Sequence, residues 1–231
     1  MDYIKEKFIE SFINDNRYKY ILDGLGNTMI MAICAVVIGL LLGILISVVI
    51  NYNKETKKLK ILSSIFRLYV YIIRGTPSVL QLLIMYYIIF GSVNVNPVFI
   101  GVIAFGINSS AYVSEIIRGG IESVDYGQME AGRSIGMTYF QTMRYVVLPQ
   151  AFRNALPSLC NEFITLIKET SIAGYVGIID LTKASDIISS RTYDYLFPLM
   201  SVALIYLLIT SLLSKGVTHL ERRLDTNVKN K

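Results

Sequence analysis

Charged and amide side chains interrupt stretches of this chain that are otherwise apolar, and their spacing limits what they can do. In the stretch 156–179, Asn161, Thr165 and Lys168 stand at i, i+4 and i+7, so on a helix they share one face, with Glu162 and Glu169 beside them. Phe163, Ile164, Leu166 and Ile167 supply most of the remaining circumference. In the stretch 97–117, Asn108, Tyr112 and Glu115 likewise form a stripe, and Arg74-Gly75-Thr76-Pro77 breaks a third apolar run. A Lys, Arg or Asp at the centre of a bilayer costs about 2.5–3.5 kcal/mol, so such groups face a wet interior or a partner. Two chemistries fit the polar faces: lining a passage for a small polar solute, or pairing internally to fix helix packing. For Glu115, three residues before Arg118, an i, i+3 ion pair is the expected arrangement. Arg74 is placed to meet either a substrate carboxylate or the acids and carbonyls of a neighbouring helix.

Other reactive residues point away from catalysis. The single histidine, His219, sits in a charged C-terminal tail and is expected to be solvated. Cys34 and Cys160 lie in apolar runs without a CxxC pattern, so neither a disulfide framework nor a zinc site is indicated. The apolar stretches contain no His or Asp, which argues against an intramembrane enzyme. No GxxxxGK[ST] phosphate loop occurs, so ATP hydrolysis is not expected of this chain.

The elements that must position these residues follow from composition. Of the 231 residues, 53% are hydrophobic and 17% charged, with a mean hydropathy of +0.52. Soluble domains carry roughly a quarter charged residues, so a soluble enzyme and a disordered chain are both disfavoured. The net charge of +5 is read as positive loops at a membrane face rather than as a nucleic-acid footprint. A span needs about 20 mostly apolar residues. Five stretches satisfy this, at 29–50, 62–90, 97–117, 156–179 and 196–213, within a single domain covering 1–231. Pro77 predicts a bend in the second, and the Gly39/Gly43 pair in the first predicts close helix packing. Residues 1–28 lack the layout of a cleavable signal. Their apolar Ile4, Phe8, Ile9, Phe12 and Ile13 recur at helical spacing and predict an amphipathic interfacial helix.

With the N-terminus outside, the inner segments 51–60, 118–153 and 214–231 hold 13 Lys and Arg against 6 in the outer segments 1–28, 91–96 and 180–195. The excess of basic residues inside favours N-out, C-in. The 118–153 stretch is too long for a mere connector. It reads as two short helical pieces, around 126–134 and 138–147, separated by Gly136; Thr138 caps the second and Pro149 is expected to stop it. Tyr139, Phe140, Met143, Val146 and Val147 form an apolar stripe that either meets a protein partner or packs under the chain's own helices.

Gly127-Gln128-Met129-Glu130-Ala131-Gly132-Arg133-Ser134-Ile135-Gly136, followed by Val147-Leu148-Pro149, resembles the EAA loop of bacterial ABC importer permeases. The Arg74–Pro77 motif, the Ala111–Ile121 segment and Leu166-Ile167-Lys168-Glu169-Thr170-Ser171 narrow the resemblance to the polar amino acid (histidine/glutamine/glutamate/arginine) branch, over about 24–213. One departure is Gly132 where the motif has its second Ala; Gly costs about 1 kcal/mol of helix propensity, so a slightly softer docking helix is expected.

The resemblance implies an all-α integral membrane protein with the type I importer fold: five transmembrane helices, an N-terminal interfacial helix and short cytoplasmic coupling helices. It implies a bacterial cytoplasmic-membrane subunit of an ATP-driven amino acid importer, working beside a second permease, as homodimer or sister pair. Further implied partners are a cytoplasmic ATPase dimer, which holds the ATP and Mg, and an extracytoplasmic amino-acid-binding protein. No cofactor is expected in this chain. By resemblance Glu130, Ala131 and Gly136 hold the coupling loop's fold, while Tyr139, Phe140, Met143 and Arg144 touch the ATPase. The competing expectation is an ATP-independent secondary transporter or channel, for which inverted repeats would speak. The five stretches are unequal and the loop occurs once.

Overall fold

The computed structural model describes residues 2–229, without the side chains of residues 2, 3 and 225–229; Lys231 and the side chain of Lys229, both of the C-terminal basic group, thus lie outside the described residues. Among the described residues every regular element is helical. Helix α1, Asp2–Phe8, continues through a π turn at Ile9–Ile13, and Asp15 and Asn16 then turn the chain with φ of 54° each. Ile4, Phe8, Ile9 and Ile13 are exposed, as an interfacial helix requires, and Phe12 turns inward against Phe197 at 6.0 Å between ring centroids.

Helix α2, Tyr18–Thr56, is far longer than the apolar stretch it contains; 39 residues at 1.5 Å each span about 58 Å. Gly24, Thr28, Met31, Ala35, Gly39, Gly43, Ile46 and Ile50 recur every three or four residues and are buried. The partner of this stripe is α5, Pro97–Glu122, which the Asn96 side chain caps by accepting from the Val98 amide at 2.9 Å. Small residues bring the two backbones together. A Cβ on Gly43 would stand 2.6 Å from Val113 Cγ1, and one on Gly106 2.8 Å from Ile38 Cγ2. The Gly39/Gly43 pair is thus a packing device, as its spacing predicts.

Between them lie α3, Lys60–Gly75, and α4, Ser78–Ile84, which a π turn at Met85–Ile89 extends. The stretch 62–90 is not one straight helix: α3 and α4 meet at Thr76-Pro77 with a bend of 109°. Pro77 lacks the amide that would continue α3, and Thr76 is fully extended at φ −121°, ψ 146°, as a residue preceding proline prefers.

The 118–153 stretch carries α6, Tyr126–Ser134, and α7, Tyr139–Thr142. Pro149 does not stop the second piece. A π turn at Met143–Val147 leads directly into α8, Leu148–Glu169, where Pro149 occupies the first turn and its missing amide goes unused. The stretch expected as a span over 156–179 is therefore the second half of a helix that begins in the loop; it ends at Glu169, and a 3-10 turn covers Thr170–Val176. The segment 180–195, between the last two expected spans, is helical as well. It folds as α9, Leu181–Thr192, with Leu181, Ala184 and Ile188 fully buried against Ile21 and Val202. Asp180 caps it, accepting from the Thr182 and Lys183 amides at 3.0 and 3.2 Å. Helix α10, Leu196–Lys229, closes the fold and carries exposed His219 well past the apolar stretch.

Three helices, α2, α5 and α10, are long and apolar enough to cross a membrane, and the bent α3–α4 pair makes a fourth crossing if it counts as one. The main core joins four elements through Met31, Ala35, Leu82, Phe105, Leu166 and Ile167. Cys34 and Cys160 are both free thiols.

Candidate functional site

Two sets of residues stand out, one in the loop and one among the helices. The loop is held by local contacts. Asp125 caps α6, accepting from the Gly127 amide at 2.6 Å. Gly136 ends it at φ +88°, a left-handed conformation that costs a residue with a Cβ about 1–2 kcal/mol. The turn is closed by the Gly136 amide donating to Arg133 O at 3.0 Å and the Met137 amide to Gly132 O at 3.1 Å. Thr138 and Gln141 then form a reciprocal capping box for α7. Gly132 is a contact residue rather than a soft spot: a Cβ there would lie 2.5 Å from Cγ2 of Thr142, which is fully buried. The two short helices touch through that absence of a side chain.

This frame divides the apolar stripe between both expected uses. Val147 is buried and Tyr139, Met143 and Val146 are half-buried on the chain's own side. Burial, and secondarily the Glu55 carboxylate, pushes the Tyr139 hydroxyl above its ordinary pKa. Phe140 is 66% exposed, with its ring 6.1 Å from that of Tyr52. Arg144 and Tyr145 are exposed beside it, the guanidinium 5.8 Å from the tyrosine ring centroid. Glu130 and Ala131 are exposed on α6.

Among the helices, the residues expected along a path fall into separate groups. Arg74 and Glu115 come together at 3.2 Å, and Arg118 grips the same carboxylate at 2.9 and 3.1 Å. Arg118 also meets Glu122, and Lys54 lies 3.7 Å from that second acid. The Arg74 guanidinium sits 5.5 Å from the Tyr112 ring centroid. These groups edge an open cleft of about 720 Å³ that Asn51, Arg67 and Tyr71 also line. Glu162 is elsewhere: half-buried, it accepts from Ser109 Oγ at 2.8 Å. Glu169 is half-buried at the end of α8, whereas Asn161 and Lys168 are exposed with Thr165 half-buried between them. The i, i+4, i+7 face of α8 therefore exists as an open polar stripe, and it does not line the cleft that holds Arg74 and Glu115.

Gln81 is the residue that spacing alone did not single out. Its amide nitrogen donates across the α3–α4 break to Ile73 O at 2.8 Å, Thr76 O at 3.1 Å and Thr76 Oγ1 at 2.8 Å, while its carbonyl accepts from buried Asn108 at 2.9 Å. Tyr69 supports the same region, donating to Ile107 O on α5 at 2.7 Å. The available signal was an amide in an apolar run four residues after Pro77.

The chain resembles known proteins over nearly its whole length. It is 38% identical over 212 residues to the putative glutamine transport system permease protein GlnP of Rickettsia typhi, covering 90% of this chain and 94% of that one. It is 37% identical to the arginine transport system permease protein ArtQ of Bacillus subtilis at the same coverage, and 40% identical to the L-cystine transport system permease protein TcyB of that organism, covering 89% and 86%. A crystal structure of an amino acid ABC transporter superposes with a TM-score of 0.83 at 43% identity, covering 92% of this chain and 98% of its own. A chain of the MetNI methionine ABC transporter shares the fold at a TM-score of 0.76 and 18% identity, covering 89% and 96%. The family model for the inner membrane component of binding-protein-dependent transport systems matches residues 35–226, and the chain belongs to that family.

Proposed function

We propose that this chain is the permease subunit of an ATP-driven importer for a polar amino acid, in the type I arrangement. The single observation that carries the coupling part is the loop between α5 and α8: a frame fixed by two caps, a left-handed glycine and the Gly132–Thr142 contact, with Phe140, Arg144 and Tyr145 left open on its surface. A cytoplasmic ATPase subunit docks there, with Tyr139 and Met143 holding the contact surface from beneath and Glu130, Ala131 and Gly136 holding the frame. ATP and Mg²⁺ belong to that ATPase; this chain supplies the path. The relatives named for glutamine, arginine and cystine support an amino acid as solute.

In this reading α2, the α3–α4 pair, α5, the α8 segment and α10 make five crossings, with the N-terminus outside and the C-terminus in the cytoplasm. The single domain works beside a second permease copy or sister, and an extracytoplasmic binding protein delivers the solute. Asn161, Thr165 and Lys168 form the open face along the path, with Glu162, tied to Ser109, and Glu169 beside it; Arg74 and Glu115 tie α3 to α5 at one end. Closure of the ATPase dimer moves the docked loop as a rigid body and tilts the crossings between inward- and outward-facing states.

The test is reconstitution. Proteoliposomes holding this chain with its partner permease and ATPase subunits, with the binding protein added outside, are expected to take up a labelled amino acid only with ATP inside, and Phe140→Ala with Arg144→Glu is expected to abolish ATPase co-purification. Uptake without ATP or ATPase would identify a secondary transporter or channel instead.

A further inference from the structure

The contacts of α3 set its inclination. At Tyr69 it touches Ile107 and Ser110 of α5; five residues on, Arg74 reaches Glu115, closer to the C-terminal end of α5. That end lies level with the end of α2, where Lys54 meets Glu122. The return climb is made by the next helix, for Gln81 goes back to Asn108, and Met85 and Tyr86 pack on the core of Met31 and Phe105. Helix α3 therefore runs alongside the second half of α5, and α4 carries the chain back toward the core.

Its sixteen residues present three faces. Ser63 and Val70 are buried, with Phe66 and Ile73 half-buried, against Ile46, Ile50 and Ala111. Ile61, Ile65, Leu68 and Ile72 form an exposed apolar stripe at i, i+4, i+7 and i+11. Lys60 and Arg67 open the third face, two turns apart and exposed. The turn before it adds Lys57 and Lys58, so that residues 51–68 carry five basic side chains and Glu55 as their one acid. Among the described residues, Lys57, Lys58, Lys60 and Arg67 have no ion-pair partner, whereas nearby Lys54 has one.

We propose that the α2–α3 turn and α3 form a docking surface for anionic phospholipid headgroups, with the helix lying in the leaflet boundary and its isoleucine stripe among the acyl chains. An apolar stripe beside an unpaired basic cluster is the arrangement by which interfacial helices bind acidic lipid. Lys57, Lys58 and Lys60 gather headgroup phosphates, and Ile61, Ile65, Leu68 and Ile72 anchor in the acyl region. Only the naming of the cytoplasmic leaflet rests on the orientation proposed above.

The full chain, purified in detergent in the assembly it forms, is titrated with phosphatidylglycerol and phosphatidylcholine and the bound lipid counted by native mass spectrometry. Phosphatidylglycerol is expected to bind preferentially. At about 1 kcal/mol for each basic residue near an acidic surface, the triple variant Lys57→Gln, Lys58→Gln, Lys60→Gln is expected to bind it about 100-fold more weakly, with the triple Arg variant restoring binding. Equal binding of both lipids, an unchanged triple variant, or displacement of the lipid by millimolar inorganic phosphate would overturn the proposal. Independently of those variants, fluorophores at Ile61→Cys and Ile72→Cys, in a background with Cys34→Ala and Cys160→Ala, are expected to be quenched at one depth by brominated lipids. A vertical helix would separate them by about 16 Å, and a stripe covered by protein would leave both unquenched; either result sinks the idea.

Discussion

The 118–153 loop and the polar interior solve the same problem, holding polar groups in place, by opposite means. In the loop the contacts that fix the ends of α6 and α7 are short-range: Asp125 to Gly127, Thr138 to Gln141, Arg133 to Gly136. Gly132 and Thr142, ten residues apart, join the two short helices. In the interior the links join distant parts of the chain: Gln81 with Asn108, Arg74 with Glu115, Ser109 with Glu162. The loop is a part that can keep its shape while it is moved. The interior is a set of ties whose partners sit on different helices, so a tilt of one helix must stretch or exchange them.

Substitutions break this comparison in order of size. Gly43→Leu overfills the seam between α2 and α5 and is expected to cost about 3 kcal/mol or more, seen as a large fall in melting temperature of the detergent-solubilised chain. Gln81→Leu leaves Asn108 and two carbonyls at the α3–α4 break unpaired; about 2 kcal/mol of stability should be lost, and limited proteolysis should open first near Thr76. Gly132→Ala is expected to loosen the loop by about 1–2 kcal/mol, read by hydrogen exchange over 126–147, and Thr142→Ala in the same chain should recover most of it. If the double variant is no better than the single, the contact between the two short helices is not what holds the frame. Thr138→Ala removes one half of the capping box at about 1 kcal/mol and should fray α7 alone. Phe140→Ala should change stability by less than about 0.5 kcal/mol while weakening ATPase capture, which separates surface from frame.

The same division explains what could be read in advance. Thr138 and Gly136 announce their roles because a cap and a left-handed turn are properties of four or five consecutive residues, and α6 falls on the expected 126–134. The seam of Gly39 and Gly43 was legible for a similar reason, a fixed spacing on one helix. Pro77 gave the site of the bend but not its 109°, which depends on Gln81 reaching back to Ile73 and across to Asn108. Pro149 misled because proline ends a helix only when the preceding turn is regular; here the wide turn at 143–147 comes first, so the proline opens α8. Helix α9 was hidden by composition, since Thr182, Lys183, Ser185, Asp186, Ser189 and Ser190 make 180–195 look like a polar loop while Leu181, Ala184 and Ile188 carry its burial.

Because α8 starts inside the loop, the π turn at 143–147 and the part that carries Glu162 and Lys168 belong to one helical run. Its twenty-two residues span about 33 Å, and Pro157 in its interior removes one backbone hydrogen bond and marks the place where the helix bends most easily. Under the docking proposed above, a push on the π turn enters the foot of this helix and reaches Glu162 and Lys168 along one backbone, with Pro157 as the hinge on the way.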